Sequence, residues 1–179
     1  CSGSTNCDLT QITNSKRASY VQNCFGAFPC LRFTSAALTG YASSATIGTA
    51  YQSSSVVAQR TTSSSQDGLL SQSGGSTCST FFYTSGNVGV YRGTIASVNA
   101  VEGSWHAINA FLNSTTVAAI MIDGLDNTGL NSGSSACSGN VIVANNSGHP
   151  LNGNIAEFGG FSGNLVSGSR TVLNNNQHT

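Results

Sequence analysis

The sequence predicts an all-β fold of two antiparallel sheets packed as a sandwich, and three observations carry that reading. Apolar residues recur with a period near two, in short runs. Clusters of Ser, Gly and Asn separate those runs. No stretch keeps apolar residues at i, i+3, i+4 and i+7 over a dozen positions, as an amphipathic helix requires. The 21 glycines and only two prolines leave turn-making to Gly and Asn. No internal repeat of fixed period is present, which argues against a solenoid or a propeller. A chain of 179 residues can bury a substantial core as one domain, and residues 1–179 are read as a single sandwich.

The elements follow in order along the chain. Leu31 and Phe33, continuing towards Leu38, mark an early strand. Tyr51 to Arg60 reads as the next, its polar first half notwithstanding. Phe81-Phe82-Tyr83 and Val88-Gly89-Val90-Tyr91 flank Ser85-Gly86-Asn87, a hairpin signal. Trp105 to Leu112 puts Trp105, Ala107, Asn109 and Phe111 on one face and His106, Ile108, Ala110 and Leu112 on the other. Val117 to Ile122 follows Asn113-Ser114-Thr115-Thr116 and runs into Asp123-Gly124, a strong turn dipeptide in which Gly124 permits the positive φ of a tight hairpin. Val141-Ile142-Val143 and Ile155-Ala156-Glu157-Phe158 supply later strands. Helix is expected at most as a turn or two within Ser167 to Asn176, near the C-terminus. Serine-rich tracts such as Thr61 to Gln66 are too short to link domains and read as loops at the sandwich ends.

Composition narrows the function classes. Charged residues make up 7% of the chain, against roughly 25% in ordinary soluble domains. Six basic and six acidic residues cancel, so no field gathers phosphates and nucleic acid is a poor partner. No run approaches the roughly 18 apolar residues that span a bilayer as a helix. The neutral surface rich in Ser, Thr, Asn and Gly is associated with secreted lectin-like modules, adhesins and virion fibres. An extracellular, cell-surface or virion location is therefore expected. A start at Cys1 without methionine is expected of a processed chain or of the C-terminal part of a longer protein.

Cys1, Cys7, Cys24, Cys30, Cys78 and Cys137 form an even set without a Cys-x-x-Cys pair. Disulfides are expected, with metal binding or free thiols as the alternatives, since zinc ligands usually lie closer together with histidines nearby. A short loop containing Gly26 and Pro29 favours Cys24 with Cys30. Cys78 with Cys137 would then be a long-range staple, leaving Cys1 with Cys7. A bridge to a neighbouring subunit stays open, so protein subunits, including copies of this chain, are candidate partners.

Several short motifs, in this order, resemble those of concanavalin A-like or laminin-G-like jelly-roll sandwiches. Pro29-Cys30-Leu31-Arg32-Phe33 with Leu38-Thr39-Gly40 is similar to their early edge motif. Gly103-Ser104-Trp105-His106-Ala107-Ile108 and Ala119-Ile120-Met121-Ile122-Asp123-Gly124 resemble their Trp-His strand and Asp-Gly hairpin. Leu151-Asn152-Gly153-Asn154-Ile155-Ala156-Glu157-Phe158 resembles their closing strand, and the segment ending at Gln11 resembles a loop of the arabinofuranosidase B-like branch. That branch includes bacterial and phage surface proteins. Trp105 is expected to anchor the core, since one aromatic side chain of that size can bury more than about 150 Å². The resemblance implies that Glu157 is a scaffold carboxylate tied to a neighbouring loop, since an unpaired carboxylate inside an apolar strand is costly.

The resemblance also implies a glycosidase alternative, acting on plant or bacterial polysaccharide, which needs two facing carboxylates. Only Asp8, Asp67, Glu102, Asp123, Asp126 and Glu157 are available. The segment matching the nucleophile, Ser79 to Gly93, holds no carboxylate, and Asn145-Asn146 stands where the acid should be. An amide has no titratable proton near neutral pH. No catalytic residue is therefore assigned. No Gly-x-Ser-x-Gly elbow accompanies His106, His149 or His178. His106 reads as a satisfied sandwich residue and His149 as the exposed one.

No cofactor is implied. Asp123-Gly124-Leu125-Asp126-Asn127 offers oxygens to calcium but fewer than the six or so usually needed, so the turn reading is preferred. Asn113-Ser114-Thr115 and Asn145-Asn146-Ser147 match glycosylation sequons. The expectation is a non-catalytic structural or adhesive module, a fibre, decoration or glycan-recognition domain. Tyr41, Tyr51, Tyr83, Tyr91, Asn145, Asn146 and His149 are its candidate ligand-binding residues.

Overall fold

The computed structural model describes residues 9–34, 40–46, 53–62, 66–72, 78–84, 86–112, 117–135, 139–146, 148–161, 168–169 and 171–173. Strands β1 (Leu9–Thr10), β2 (Ser19–Phe25), β3 (Phe28–Phe33) and β4 (Tyr41–Thr46) come first. They are followed by β5 (Ser53–Arg60), β6 (Gln66–Gln72), β7 (Ser79–Tyr83), β8 (Asn87–Tyr91) and β9 (Ile95–Asn99). Then come β10 (Trp105–Phe111), β11 (Val117–Ile122), β12 (Leu125–Asn131), β13 (Asn140–Val143), β14 (Asn145–Asn146), β15 (His149–Pro150) and β16 (Gly153–Phe161). A 3-10 turn spans Asn14–Lys16, and residues 168–169 and 171–173 are helical, within the segment the sequence singles out.

Among the described residues, one sheet runs β1-β4-β13-β6-β7-β8-β9 and the other β12-β11-β10-β5-β16-β3-β2, with β14-β15 as a small hairpin. Neighbours pair antiparallel, and the two sheets form a sandwich. Alternation builds the core between them. Val56 and Ala58, Val88 and Val90, Ile108 and Ala110, Ile120 and Ile122, and Val141 and Val143 all lie in one buried cluster with Phe33, Leu70 and Phe82. Each fully buried Val, Leu, Ile or Phe side chain contributes about 1.5–3 kcal/mol. The polar half of β5 fits because Ser54 reaches across the layers, its Oγ 2.8 Å from Thr80 Oγ1. On the opposite face of β10 and β11, Phe111, Ala119 and Met121 form a smaller buried cluster.

Both hairpins read from the sequence form. Tyr83 pairs with Asn87 around Gly86, whose φ is 74°. Gly89 is needed for packing: a Cβ there would stand 2.9 Å from Phe81 Cε2, so the ring lies directly over the glycine. Cys24 and Cys30 are bridged with Cα atoms 5.6 Å apart, within the range a disulfide spans. Cys78 is also disulfide-bonded. Cys1, Cys7 and Cys137, with Tyr51, Leu38 and His178, lie outside the described residues.

Two expectations need correction. Trp105 is half-buried and stands on the outer face of its sheet, because His106, Ile108 and Ala110 take the inward positions of β10. The core is held instead by Phe33, Phe82 and the aliphatic residues. Glu157 is exposed rather than enclosed. Ile155 pairs with Ala58 but Glu157 with Val57, so Ala156 is the extra residue of a bulge. The bulge turns Glu157 out of the alternation that Ile155 begins, and no tie from its carboxylate to a neighbouring loop is present among the described residues.

Candidate functional site

The Asp123-Gly124 turn makes a site that neither strand suggests alone. Asp123 has φ 50° and Gly124 φ 86°, so both central residues of the two-residue β11–β12 loop are left-handed, as a type I′ turn requires. That backbone swings the Asp123 carboxylate back over β10. Its Oδ1 accepts the Ala107 N–H at 2.9 Å, and its Oδ2 lies 2.6 Å from His106 Nδ1. The Asp123 N–H donates to Ala107 O at 3.0 Å. His106 is buried, and its Nε2 sits 2.7 Å from the Val101 carbonyl. Both ring nitrogens are therefore held by protein, and Nε2 is turned to a carbonyl rather than to a hydroxyl that it could activate.

Beside this pair opens a cleft of about 540 Å³. Its walls are β9 and β12, the free edges of the two sheets, which lie against one another. Ser97 to Val101 line one wall, Leu125 and Asn127 of β12 the other, and Asp123 and His106 stand between them. Asn127 Nδ2 donates to Ile120 O at 3.3 Å, which fixes the amide and leaves its Oδ1 without a partner among the described residues. Asn99 and Ser97 are exposed and likewise make no side-chain hydrogen bond among the described residues. The Asp123 side chain is 40% exposed, so part of the carboxylate faces the cleft. Leu125, 75% exposed, and Val101, 69% exposed, add aliphatic surface at the mouth. No Lys or Arg lines the cleft. Oriented amide, hydroxyl and carboxylate groups beside apolar patches suit a neutral, hydroxyl-rich ligand.

A second charged pair serves the frame. Arg60 Nε lies 2.6 Å from Asp67 Oδ2, with the two side chains 2% and 1% exposed. Arg60 Nη1 donates to Tyr83 O at 2.9 Å, its guanidinium stands 6.0 Å from the Phe82 ring, and Glu102 approaches only to 3.8 Å. Asp67 and Asp123 are thus both engaged by protein. No group of three or more His, Cys, Asp or Glu side chains converges on a metal-sized site among the described residues.

The structure scatters the ligand candidates named from sequence. Tyr41 Oη accepts the Ala18 N–H at 3.1 Å and the ring packs edge-on to Phe33, a structural role. Tyr83 packs against Phe81, while Tyr91 pairs with Ser79 at the other end of β7. Asn145 Oδ1 caps the β14–β15 hairpin by accepting the Gly148 N–H at 3.2 Å, and Asn146 pairs with the half-buried His149. None of these residues lines the cleft. Its own residues carry no motif. The signal available was an Asp opening a tight hairpin with a histidine on the adjoining strand.

Two antiparallel sheets stacked with this connectivity define a concanavalin A/laminin-G-like sandwich. No protein-family model matches the chain, and no curated protein matches it in sequence. Solved structures do. Domain 4 of AbnA, a GH43 extracellular arabinanase from Geobacillus stearothermophilus solved in complex with arabinotriose, superposes with a TM-score of 0.63 at 14% identity, over 87% of this chain and 80% of that one. The binding domain of Paraclostridial Mosquitocidal Protein 1 gives 0.63 at 11% identity over 96% of this chain, which spans 48% of that one. The CBM40 of a Ruminococcus gnavus IT-sialidase, bound to α2,3-sialyllactose, gives 0.56 at 13% identity, over 68% and 80% of the two chains. At these identities the likeness is one of fold.

Proposed function

We propose that this protein is an extracellular carbohydrate-recognition module whose ligand is a neutral glycan held in the cleft between β9 and β12. The observation that carries the reading is one cleft lined by the fixed Asn127 amide, the part-exposed Asp123 carboxylate and the uncommitted Asn99, with Leu125 and Val101 adding aliphatic surface. Sugar hydroxyls donate to the carboxylate and amide oxygens and accept from the Asn99 amide, and the aliphatic side chains take the ring's C–H surface. The Cys24–Cys30 bridge supports an oxidising location outside the cell. Two of the structural neighbours were solved with saccharides bound, which supports the ligand class. Display on a cell or virion surface fits the same reading. A glycan array probed with the wild-type chain and with the Asn99→Ala/Asn127→Ala double variant tests it. Binding by the wild type that the double variant loses is expected. An array profile that the double substitution leaves unchanged, or a wild type that binds no glycan, overturns the reading.

A further inference from the structure

We propose that the outer face of the second sheet carries another saccharide subsite, formed by Phe25, Phe28 and Trp105 beside a row of Arg32, Asn154 and Gln59. The ligand class rests on the glycan reading above, but the two sites share no residue.

The aromatic part follows from two local features. Alternation along β10 sends Trp105 outward, opposite Gln59 on β5. The β2–β3 hairpin loses regular pairing between Val21 and Phe25, places Asn23 at φ 50° and Gly26 at φ 57°, and is closed by Cys24–Cys30. The closed tip brings Phe25 onto Trp105, with ring centroids 4.9 Å apart and planes inclined by 42°. Phe28 follows 6.5 Å from Phe25 and is 56% exposed. Three neighbouring aromatic rings, one mostly in water, are unusual on so polar a surface.

The polar part is a ladder across the same face. Arg32 Nε donates to Asn154 Oδ1 at 3.2 Å, Asn154 Nδ2 to Gln59 Oε1 at 2.8 Å, and Gln59 Nε2 to Gly103 O at 2.7 Å. Arg32 is exposed, and its terminal nitrogens have no partner among the described residues. From β3 across β16 and β5 to β10, the row spans three strand spacings, roughly 14 Å. Asn154 is buried and links the row, whereas Arg32 is exposed and Gln59 half-buried, so those two are the groups open to a sugar. Aromatic faces take the C–H side of a sugar ring, and a fixed line of donors and acceptors takes its hydroxyls. A helical or extended protein partner would want continuous apolar area, which this row interrupts.

Trp105 is the sole tryptophan, so its emission reports this face. The full chain is titrated with xylotriose, arabinotriose and maltotriose, and tryptophan fluorescence is followed. At least one sugar should give a saturable change that is retained in Asn99→Ala/Asn127→Ala. Phe28→Ala, at an exposed position, and Arg32→Ala should each weaken it about tenfold. No saturable change with any of the three sugars overturns the proposal. So does a change abolished by the cleft variant, or one unaltered by both Phe28→Ala and Arg32→Ala. Array binding lost in the cleft variant, together with a silent Trp105, would sink this subsite while leaving the cleft reading intact.

Discussion

Two carboxylates of this sandwich are held at the same distance by a basic side chain, and they do different work. Asp67 meets Arg60 at 2.6 Å with both side chains shut from water, whereas Asp123 meets His106 at 2.6 Å with 40% of its own side chain exposed. The buried pair has a further carbonyl and an aromatic ring around the guanidinium. It belongs to the frame, where removing either partner strands a charge. The exposed pair fixes a turn and still leaves carboxylate surface for a ligand. Distance alone does not distinguish the two pairs; access to water does.

The largest effect expected is on the buried side. Asp67→Ala should destabilise the fold by about 3–5 kcal/mol, because the buried Arg60 loses its one close carboxylate among the described residues; denaturant unfolding measures it. Asp123→Ala removes two accepted hydrogen bonds at a part-exposed site and should cost about 1–3 kcal/mol in the same assay, together with glycan binding. Gly124→Ala keeps the carboxylate but sets a Cβ at φ 86°. It should cost about 1–2 kcal/mol. Glu102→Gln sharpens the contrast from the other end. At 3.8 Å and 38% exposed it is a surface partner of the same Arg60, and its loss should change stability by less than about 0.5 kcal/mol. An Asp67→Ala penalty no larger than that of Glu102→Gln would break the comparison.

The parts of the fold that were legible are those governed by short-range rules. The faces of β10, the Asp123-Gly124 turn and the Cys24–Cys30 loop all follow from alternation, turn chemistry or loop length. Glu157 defeated alternation because a bulge at Ala156 changes the count, and bulges leave no compositional mark. The size of Trp105 points to the core, but its strand pattern sets it opposite His106 and Ile108, and the strand pattern wins. The cleft was not legible because it exists only where two sheet edges meet. Residues 97–101 and 123–127 contribute to it from separate hairpins, and neither stretch is a motif. Tyr41 and Asn145, candidates by residue type, are tied to the backbone instead.

The most direct test of the cleft is to map amide and side-chain NMR shifts while titrating the isotope-labelled chain with a glycan selected from the array. The largest shifts should fall on Ser97, Asn99 and Val101 and on Asp123 to Asn127, including the Asn127 side-chain amide. Stationary signals there, with the largest shifts in the Asn145–Pro150 hairpin, would contradict the account.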